Sequence, residues 1–231
     1  MKDNKISNDD MMNEEQIPEK PVEKPKKRWT IFGVEFVYLA FIGICIAFVG
    51  WILENSVKLV TNGVIDARYH ILPFISPYVL VSFAFHICLG DVDDLTVFGK
   101  KIFKKTSWKT KVLSNILIFV FLCVAVFLGE LIVGNLYEKC FGVTLWYYSS
   151  SKFLVTKYAG LVPSLWYGTF AYLIFRFIYN PLLKLLRKAP YKAIKITVII
   201  LGTLILADAT NLLVQIIVFG KAPMLWRVQL W

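Results

Sequence analysis

Five stretches of the chain are almost continuously apolar, and polar segments separate them. These stretches are Phe36 to Leu53, Leu72 to Leu89, Val112 to Val133, Leu161 to Tyr179 and Ile196 to Phe219. Each has about the 20 residues that a helix needs to cross the ~30 Å hydrocarbon core of a bilayer. Because the runs lack the alternation of barrel strands, the pattern predicts an all-α integral membrane protein with five transmembrane helices.

The basic residues fall mostly on one side of these predicted helices. Fifteen lysines and arginines cluster on one side, at residues 24–28, 100–111 and 184–195, whereas seven occupy the opposite side. Since cytoplasmic loops carry the excess of such residues, the pattern predicts a cytoplasmic N-terminus and an outside C-terminus in a multi-pass plasma-membrane protein. The formal net charge of +10 is thereby explained by the lipid bilayer, without a nucleic-acid partner.

Composition divides the chain into two parts. Residues 1–28 are rich in Asp, Glu, Lys and Pro, which predicts a disordered cytoplasmic tail, and residues 29–231 form the predicted helical membrane domain. The four cysteines form no CxxC pair, so neither a metal nor a cofactor is expected.

A polar stripe interrupts the last apolar stretch, in the sequence LADATNLLVQ. Asp208, Asn211 and Gln215 share one sector of a helix, and Asp208 lies near the predicted bilayer centre. A central carboxylate opposes membrane insertion by roughly 2.5 to 3.5 kcal/mol, so it needs a partner, a proton or a wet cavity. Arg176 in the fourth stretch is the natural counter-charge. The alternatives are a structural interhelical hydrogen bond for Asp208 and an Arg176 side chain that reaches the inner interface.

A second polar group gathers near the predicted outer ends of the helices. Its members are Glu54, Asn55, Asp66, Arg68, His70, Glu130 and Asn135. Such residues bind a cation or a polar headgroup, perform acid–base chemistry, or form a solvated rim. Because no HExxH or GxSxG motif is present, we do not expect an enzyme, and the lack of GxxxxGK[ST] assigns any use of ATP to a separate protein.

Two further patterns concern organisation. FVGWILEN (48–55) and FLGELIVGN (127–135) form a weak internal repeat, each followed by an outer loop and a proline near the next span. The segment 91–111 interleaves apolar residues with six lysines, which is typical of an element lying against anionic lipid; docking of a cytoplasmic partner is the alternative.

These residues resemble a known family, the bacterial ABC-transporter permeases called CmpB-like or type IV. The family pattern consists of a helical glutamate, FG, W-x-Y-S, a small-residue loop, WG and a proline. The matching residues here are Glu130, Phe141, Gly142, Trp146, Tyr148, Ser149, Gly160, Trp166, Gly168 and Pro181. The GWxxE of the family's first helix is similar to Gly50, Trp51 and Glu54, and its last-helix aspartate to Asp208 with Thr210. Tyr147 and the turn NGVIDARYHILPF depart from the family pattern.

The resemblance implies a membrane permease subunit without its own ATPase, which works with a separate ATPase or other membrane subunit. In that interpretation Asp208, Asn211, Gln215 and Arg176 line the substrate path. The outer mouth is formed by Glu54, Asn55, Arg68, Glu130, Asn135, Trp146 and Tyr148. Five helices are few for a pathway, which favours a homodimer or hetero-complex. The alternatives are a non-transporting scaffold or accessory subunit, and an outward-facing enzyme acting on lipid or cell-wall precursors through Glu54 and Glu130.

Overall fold

The computed structural model describes residues 28–91, 94–103, 107–148 and 153–231. The helices are α1 (Phe36–Asn62), α2 (Pro77–Leu89), α3 (Trp108–Phe141), α4 (Leu161–Ile174), α5 (Asn180–Leu186) and α6 (Tyr191–Phe219), and a π-helical turn, Phe175–Tyr179, joins α4 to α5. The predicted tail at 1–28 lies outside the described residues except for Arg28.

Seven short strands lie at the two ends of the helices. They are β1 (Thr30–Ile31), β2 (Val34–Glu35), β3 (Val64–Asp66), β4 (Gly90–Asp91), β5 (Asp94–Val97), β6 (Lys100–Lys101) and β7 (Arg227–Gln229). All pairings are antiparallel: β1 with β2, β3 with β7, and β5 with both β4 and β6. The segment 91–111, predicted to be an interfacial element, therefore contains a small three-stranded sheet in its described part.

Four helical segments of the described chain are long and apolar enough to cross a membrane: Phe36–Asn62, Trp108–Phe141, Leu161–Leu186 and Tyr191–Phe219. The predicted fifth spanning helix, over Leu72 to Leu89, is corrected: α2 has 13 residues. At a rise of 1.5 Å per residue such a helix is about 20 Å long, which is short of the ~30 Å hydrocarbon core. The cause is local, because Pro73 and Pro77 cannot donate helical hydrogen bonds and α2 begins only at Pro77.

The chain returns along α1 in two parts, a non-helical 67–76 segment followed by α2. The Ile75 N–H donates a hydrogen bond to the carbonyl oxygen of Ala47, in the middle of α1, at 3.2 Å. From there α2 packs against the first half of α1, where Gly43 faces Ser82 and Gly50 faces the Tyr78 ring. The 67–76 segment thus lies beside α1 where a longer α2 would have packed.

The described chain begins and ends at opposite ends of the helix bundle. At one end β3, which follows α1, pairs with β7, and the Ala67 N–H donates to the Trp226 carbonyl at 3.1 Å. At the other end the β1–β2 hairpin meets the C-terminal end of α2, where the His86 ring bonds the Ile31 carbonyl at 2.9 Å. That the second of these ends faces the cytoplasm stays a prediction from the lysines and arginines.

Close contacts at glycine hold the helices together. A Cβ added to Gly134 of α3 would lie 2.4 Å from the Tyr158 ring, and one added to Gly168 of α4 would lie 2.5 Å from the Cys123 sulfur. Small residues let membrane helices approach closely, where packing replaces the hydrophobic driving force. Ile42, Ile118 and Leu122 form the fully buried centre of the core, and most remaining apolar side chains of the helices face outward.

We expect Gly134→Ala to destabilise the protein, because the added methyl overlaps the base of the buried Tyr158 ring. Overpacking of this kind costs about 1 to 3 kcal/mol. Gly129→Ala is the matched control, since it lies in the same helix and its Cβ would meet nothing within 4 Å. Thermal unfolding in detergent should show a lower midpoint for Gly134→Ala alone; equal midpoints would contradict the close packing of α3 on the 153–160 loop.

Candidate functional site

Asp208 is buried, with a relative exposure of 5%. Its Oδ1 accepts a hydrogen bond from the Ile71 N–H at 2.9 Å, and its Oδ2 accepts one from the Leu72 N–H at 3.0 Å. Both carboxylate oxygens therefore bind the main chain of the 67–76 segment. This is the structural alternative considered for Asp208, with main-chain donors in place of a side chain from a neighbouring helix.

The need for these bonds follows from the missing helical hydrogen bonds of the 67–76 segment. Unsatisfied main-chain groups at membrane depth cost several kcal/mol each, so non-helical backbone persists there only when protein or water satisfies it. His70 N–H donates to Ala67, Phe74 N–H to Leu72 and Ile75 N–H to Ala47. With the two bonds to Asp208, and Pro73 lacking an N–H, the donors from 70 to 75 are all satisfied.

His70 is the third neighbour of the Asp208 carboxylate. Its Nδ1 lies 3.5 Å from Asp208 Oδ2, a charge–dipole contact longer than a good hydrogen bond, and Nδ1 has no hydrogen-bond partner within the described ranges. Burial lowers the pKa of His70 below its ordinary value of 6.5, although the nearby Asp208 acts in the opposite direction. The ring is therefore neutral at physiological pH.

A strained turn begins the 67–76 segment. Arg68 and Tyr69 have φ angles of 51° and 68°, in the left-handed region that costs a side-chain-bearing residue about 1 to 3 kcal/mol. The turn is held by the Asp66 Oδ1, which accepts the Arg68 N–H at 3.0 Å, and by Asn55 Oδ1, which accepts the Asp66 N–H at 2.9 Å. Asp66 also forms an ion pair with Lys58.

This turn directs Arg68 to Glu54 of α1. The two side chains form an ion pair and retain 20% and 14% exposure, and the other Glu54 oxygen accepts a 2.8 Å hydrogen bond from the Tyr78 hydroxyl. Burial lowers the pKa of Arg68, but the attraction of Glu54 outweighs it and the net pKa is raised, so the guanidinium stays charged. Tyr69, beside it, donates to the Leu145 carbonyl at 2.9 Å.

A second carboxylate–phenol pair connects α3 to the loop that follows it. The Tyr148 hydroxyl donates to Glu130 at 2.5 Å, and the Trp146 indole N–H donates to the Tyr158 carbonyl at 3.2 Å. Burial, and then Glu130 itself, raise the pKa of Tyr148, so the phenol remains a neutral donor. Glu130 Oε2 is buried and accepts no hydrogen bond from the described part of the chain.

The two pairs belong to one cluster, because they are close enough to interact electrostatically. Glu54 acts on Glu130, and the Tyr167 phenol of α4 interacts with both carboxylates. We call Glu54, Arg68, Tyr78, Glu130, Tyr148 and Tyr167 the tyrosine–glutamate cluster. Two carboxylates, one guanidinium and three phenols can bind a solute through charge and hydrogen bonds. No group of three or more metal-ligating side chains is found among the described residues.

Other predicted site residues lie apart from this cluster. Asn135 donates to the Leu131 carbonyl within its own helix at 2.6 Å, and Asn211 and Gln215 are half-buried on α6, beyond Asp208 toward the helix end. The pairing of Arg176 with Asp208 stays a prediction. Arg176 lies in the π-helical turn, whose last residue, Tyr179, bonds His86 near the opposite end of the bundle, whereas Asp208 bonds the 67–76 segment.

Two cluster members, Tyr78 and Tyr167, and the contact of His70 with Asp208 were missed by sequence analysis. His86, in the last turn of α2, forms hydrogen bonds with Tyr179 at 2.6 Å and with Ile31 at 2.9 Å. A tyrosine in an apolar helix carries little sequence signal because its ring is compatible with lipid. Only its partner carboxylate marks it as polar.

Comparison with known families gives a match over most of the chain. Residues 39–213 match the profile of the family described as "Putative ABC-transporter type IV". This confirms the resemblance carried by the W-x-Y-S and G-W-x-x-E residues. Neither the curated proteins nor the solved structures contain a match to the chain.

We expect Asp208→Asn to lower the free energy of unfolding by about 1 to 3 kcal/mol, because the amide has one acceptor oxygen for two main-chain donors. Asn211→Ala, one turn away and half-buried, is the control and should have a smaller effect. The measurement is the unfolding midpoint in detergent. An Asp208→Asn protein as stable as the wild type would show that the carboxylate does not hold the 67–76 segment.

The stability of the protein should also depend on His70 and pH. Below pH 6.5 the unfolded chain binds a proton at His70 that the folded protein binds less readily, so the free energy of unfolding falls as pH decreases. More than about one pH unit above 6.5 this contribution is constant. Replacing His70 by Phe should remove part of the loss between about pH 7.5 and 5.5, whereas the other histidine, His86, is retained. An unchanged pH profile would contradict the assignment.

Proposed function

The chain belongs to the type IV ABC-transporter family and contains four helices able to span a membrane, and on this premise we propose that it is a permease subunit. The solute would pass the tyrosine–glutamate cluster. The observation that carries this proposal is the position of the cluster, where two helical hairpins meet. Transport sites commonly lie at such an interface between repeats.

The two hairpins use the same design. In the first, Glu54 of α1 bonds Tyr78 of α2; in the second, Glu130 of α3 bonds Tyr148, in the loop before α4. The first helix of each hairpin, α1 or α3, also presents a glycine to a tyrosine ring of the segment that follows it. This likeness accords with the weak repeat in the sequence.

Interrupted helices in corresponding positions support the same proposal. The return limb of the first hairpin is the 67–76 segment with α2, and the return limb of the second contains the π-helical turn after α4. Discontinuous segments in both halves indicate a binding site in transporters, and π-turns are frequent at functional sites. Tyr78 lies in the first turn of α2, so the positive end of this helix dipole is close to Glu54.

The polar atoms of the cluster that lack a hydrogen-bond partner among the described residues favour a solute with a positive charge or hydrogen-bond donors. Glu130 Oε2 and Arg68 Nε are buried polar atoms without a partner in the described part of the chain. A donor on the solute would satisfy Glu130. In this proposal Asp208 acts as a support for the path, while Asn211, Gln215 and Arg176 stay predicted path residues.

The proposed assembly has more than one subunit. The sequence contains no phosphate-binding loop for ATP, so a separate ATPase is the proposed partner, and a homodimer or hetero-complex would supply further helices. We propose the bacterial plasma membrane as its location, with transport and not catalysis as its activity and with no cofactor of its own.

The test compares intracellular solutes in cells that produce the wild type, Glu54→Gln, Glu130→Gln or Glu138→Gln. Glu138 is the matched control, because it lies in α3 like Glu130 but forms an exposed ion pair with Lys157. We expect the intracellular level of some solutes to change when the wild type or Glu138→Gln is produced. This change should be about tenfold or more smaller with Glu54→Gln and with Glu130→Gln, because loss of a charged hydrogen bond costs about 1.5 to 3 kcal/mol.

Equal protein abundance in the membrane fraction is required for this comparison. Solute changes that persist undiminished in both cluster variants would contradict the proposed path. Affinity purification in mild detergent provides the independent check of the partner. Recovery of an ATPase supports the permease, and recovery of an unrelated membrane enzyme instead would contradict it.

A further inference from the structure

Two segments at the lysine-rich end of the bundle share a sequence. Thr-Ile-Phe-Gly at residues 30–33 and Thr-Val-Phe-Gly at residues 96–99 each join a pair of strands, β1 to β2 and β5 to β6. Phe32 and Gly33 have φ angles of 44° and 82°, and Phe98 and Gly99 have 49° and 77°. Two successive positive φ angles are characteristic of the tight turn of a two-residue hairpin. The two hairpins therefore have the same tip conformation and nearly the same tip sequence.

The two Phe-Gly hairpins pack against each other at their tips. A Cβ at Gly99 would lie 2.8 Å from the Phe32 ring, so only glycine allows this approach. Phe32 and Phe98 nevertheless remain 53% and 63% exposed. Two apolar rings are thus held out from the basic end of the protein, as in elements that insert into the membrane interface.

A cavity of about 200 Å³ lies beneath the hairpins. Its lining includes Phe32, Val34, His86, Thr96, Tyr179 and Arg187. The His86 ring bonds the Ile31 carbonyl at 2.9 Å and the Tyr179 hydroxyl at 2.6 Å, which fixes the inner wall. Arg187 contributes a cation and Thr96 a hydroxyl to a lining of mixed polar and apolar character.

Size and charge identify the kind of molecule that fits. Since water occupies about 30 Å³ per molecule in the liquid, the cavity has room for about six waters, which is sufficient for a phosphate ester. Exposed lysines lie nearby at positions 100 and 101 of β6, the strand that pairs with the Thr96-containing strand β5. Basic pockets between membrane helices on the cytoplasmic side bind anionic lipid headgroups, and the predicted orientation places this end in the cytoplasm.

We propose that the cavity beneath the Phe-Gly hairpins binds the phosphate headgroup of an anionic phospholipid. Arg187 provides the positive charge and Thr96 a hydroxyl donor, while Phe32 and Phe98 contact the upper part of the acyl chains. This site is separate from the tyrosine–glutamate cluster and does not depend on the transport proposal.

The test is a lipid titration of the purified full chain in detergent, followed by thermal unfolding and native mass spectrometry. The probes are phosphatidylglycerol, phosphatidylcholine and inorganic phosphate. We expect phosphatidylglycerol to stabilise the protein and to remain bound, with little effect from the other two. Arg187→Gln should raise the half-saturating concentration of phosphatidylglycerol about tenfold or more, as expected for a lost charge-assisted hydrogen bond.

Two variants make the result specific. Lys188→Gln removes an exposed charge next to Arg187 without changing the cavity lining and should bind lipid like the wild type. Leu183→Phe keeps every charge but fills the cavity from the buried Leu183 position and should lose binding. Equal effects of the two lipids, equal losses in Arg187→Gln and Lys188→Gln, or full binding by Leu183→Phe would each overturn the proposal. Stabilisation by inorganic phosphate equal to that by phosphatidylglycerol would overturn the lipid assignment.

Discussion

The structure depends on one carboxylate that binds two main-chain N–H groups. Asp208 of α6 accepts from Ile71 and Leu72, in a segment that runs beside the middle of α1 without helical hydrogen bonds. In hydrocarbon such donors must be satisfied by protein or water. The cost of burying the aspartate and the cost of the non-helical backbone are offset by the same contacts, which accounts for an anionic residue in an otherwise apolar helix.

The same segment gives the cluster its geometry. Its first turn directs Arg68 to Glu54, and its end fixes the start of α2, where Tyr78 bonds the other Glu54 oxygen. A continuous helix over residues 72–89 would place neither residue in this way, because the chain would have no turn at this depth. The strained φ angles of Arg68 and Tyr69 are therefore compensated by contacts with α1, with β7 and with the loop that contains Leu145.

Apolar length and charge asymmetry predicted the class of protein and four of its long helices, because hydrophobic runs are what a bilayer selects. They did not predict that α2 is short, since the Ile, Leu, Pro and Phe residues of the 67–76 segment are as apolar as a helix would be. Glu54, Arg68 and Glu130 were assigned from their polarity and Tyr148 from the family resemblance, and the structure joins them in one cluster. Arg176 was paired with Asp208 on charge alone, and the two main-chain donors that bond Asp208 have no sequence signal.

The most direct measurement of this account is amide hydrogen exchange at Ile71 and Leu72 in the detergent-solubilised protein, with Asp208→Ala for comparison. The account predicts slow exchange of both amides in the wild type and fast exchange in the variant, while amides in the middle of α1 stay protected in both. Fast exchange of Ile71 and Leu72 in the wild type, or equal protection in Asp208→Ala, would contradict it.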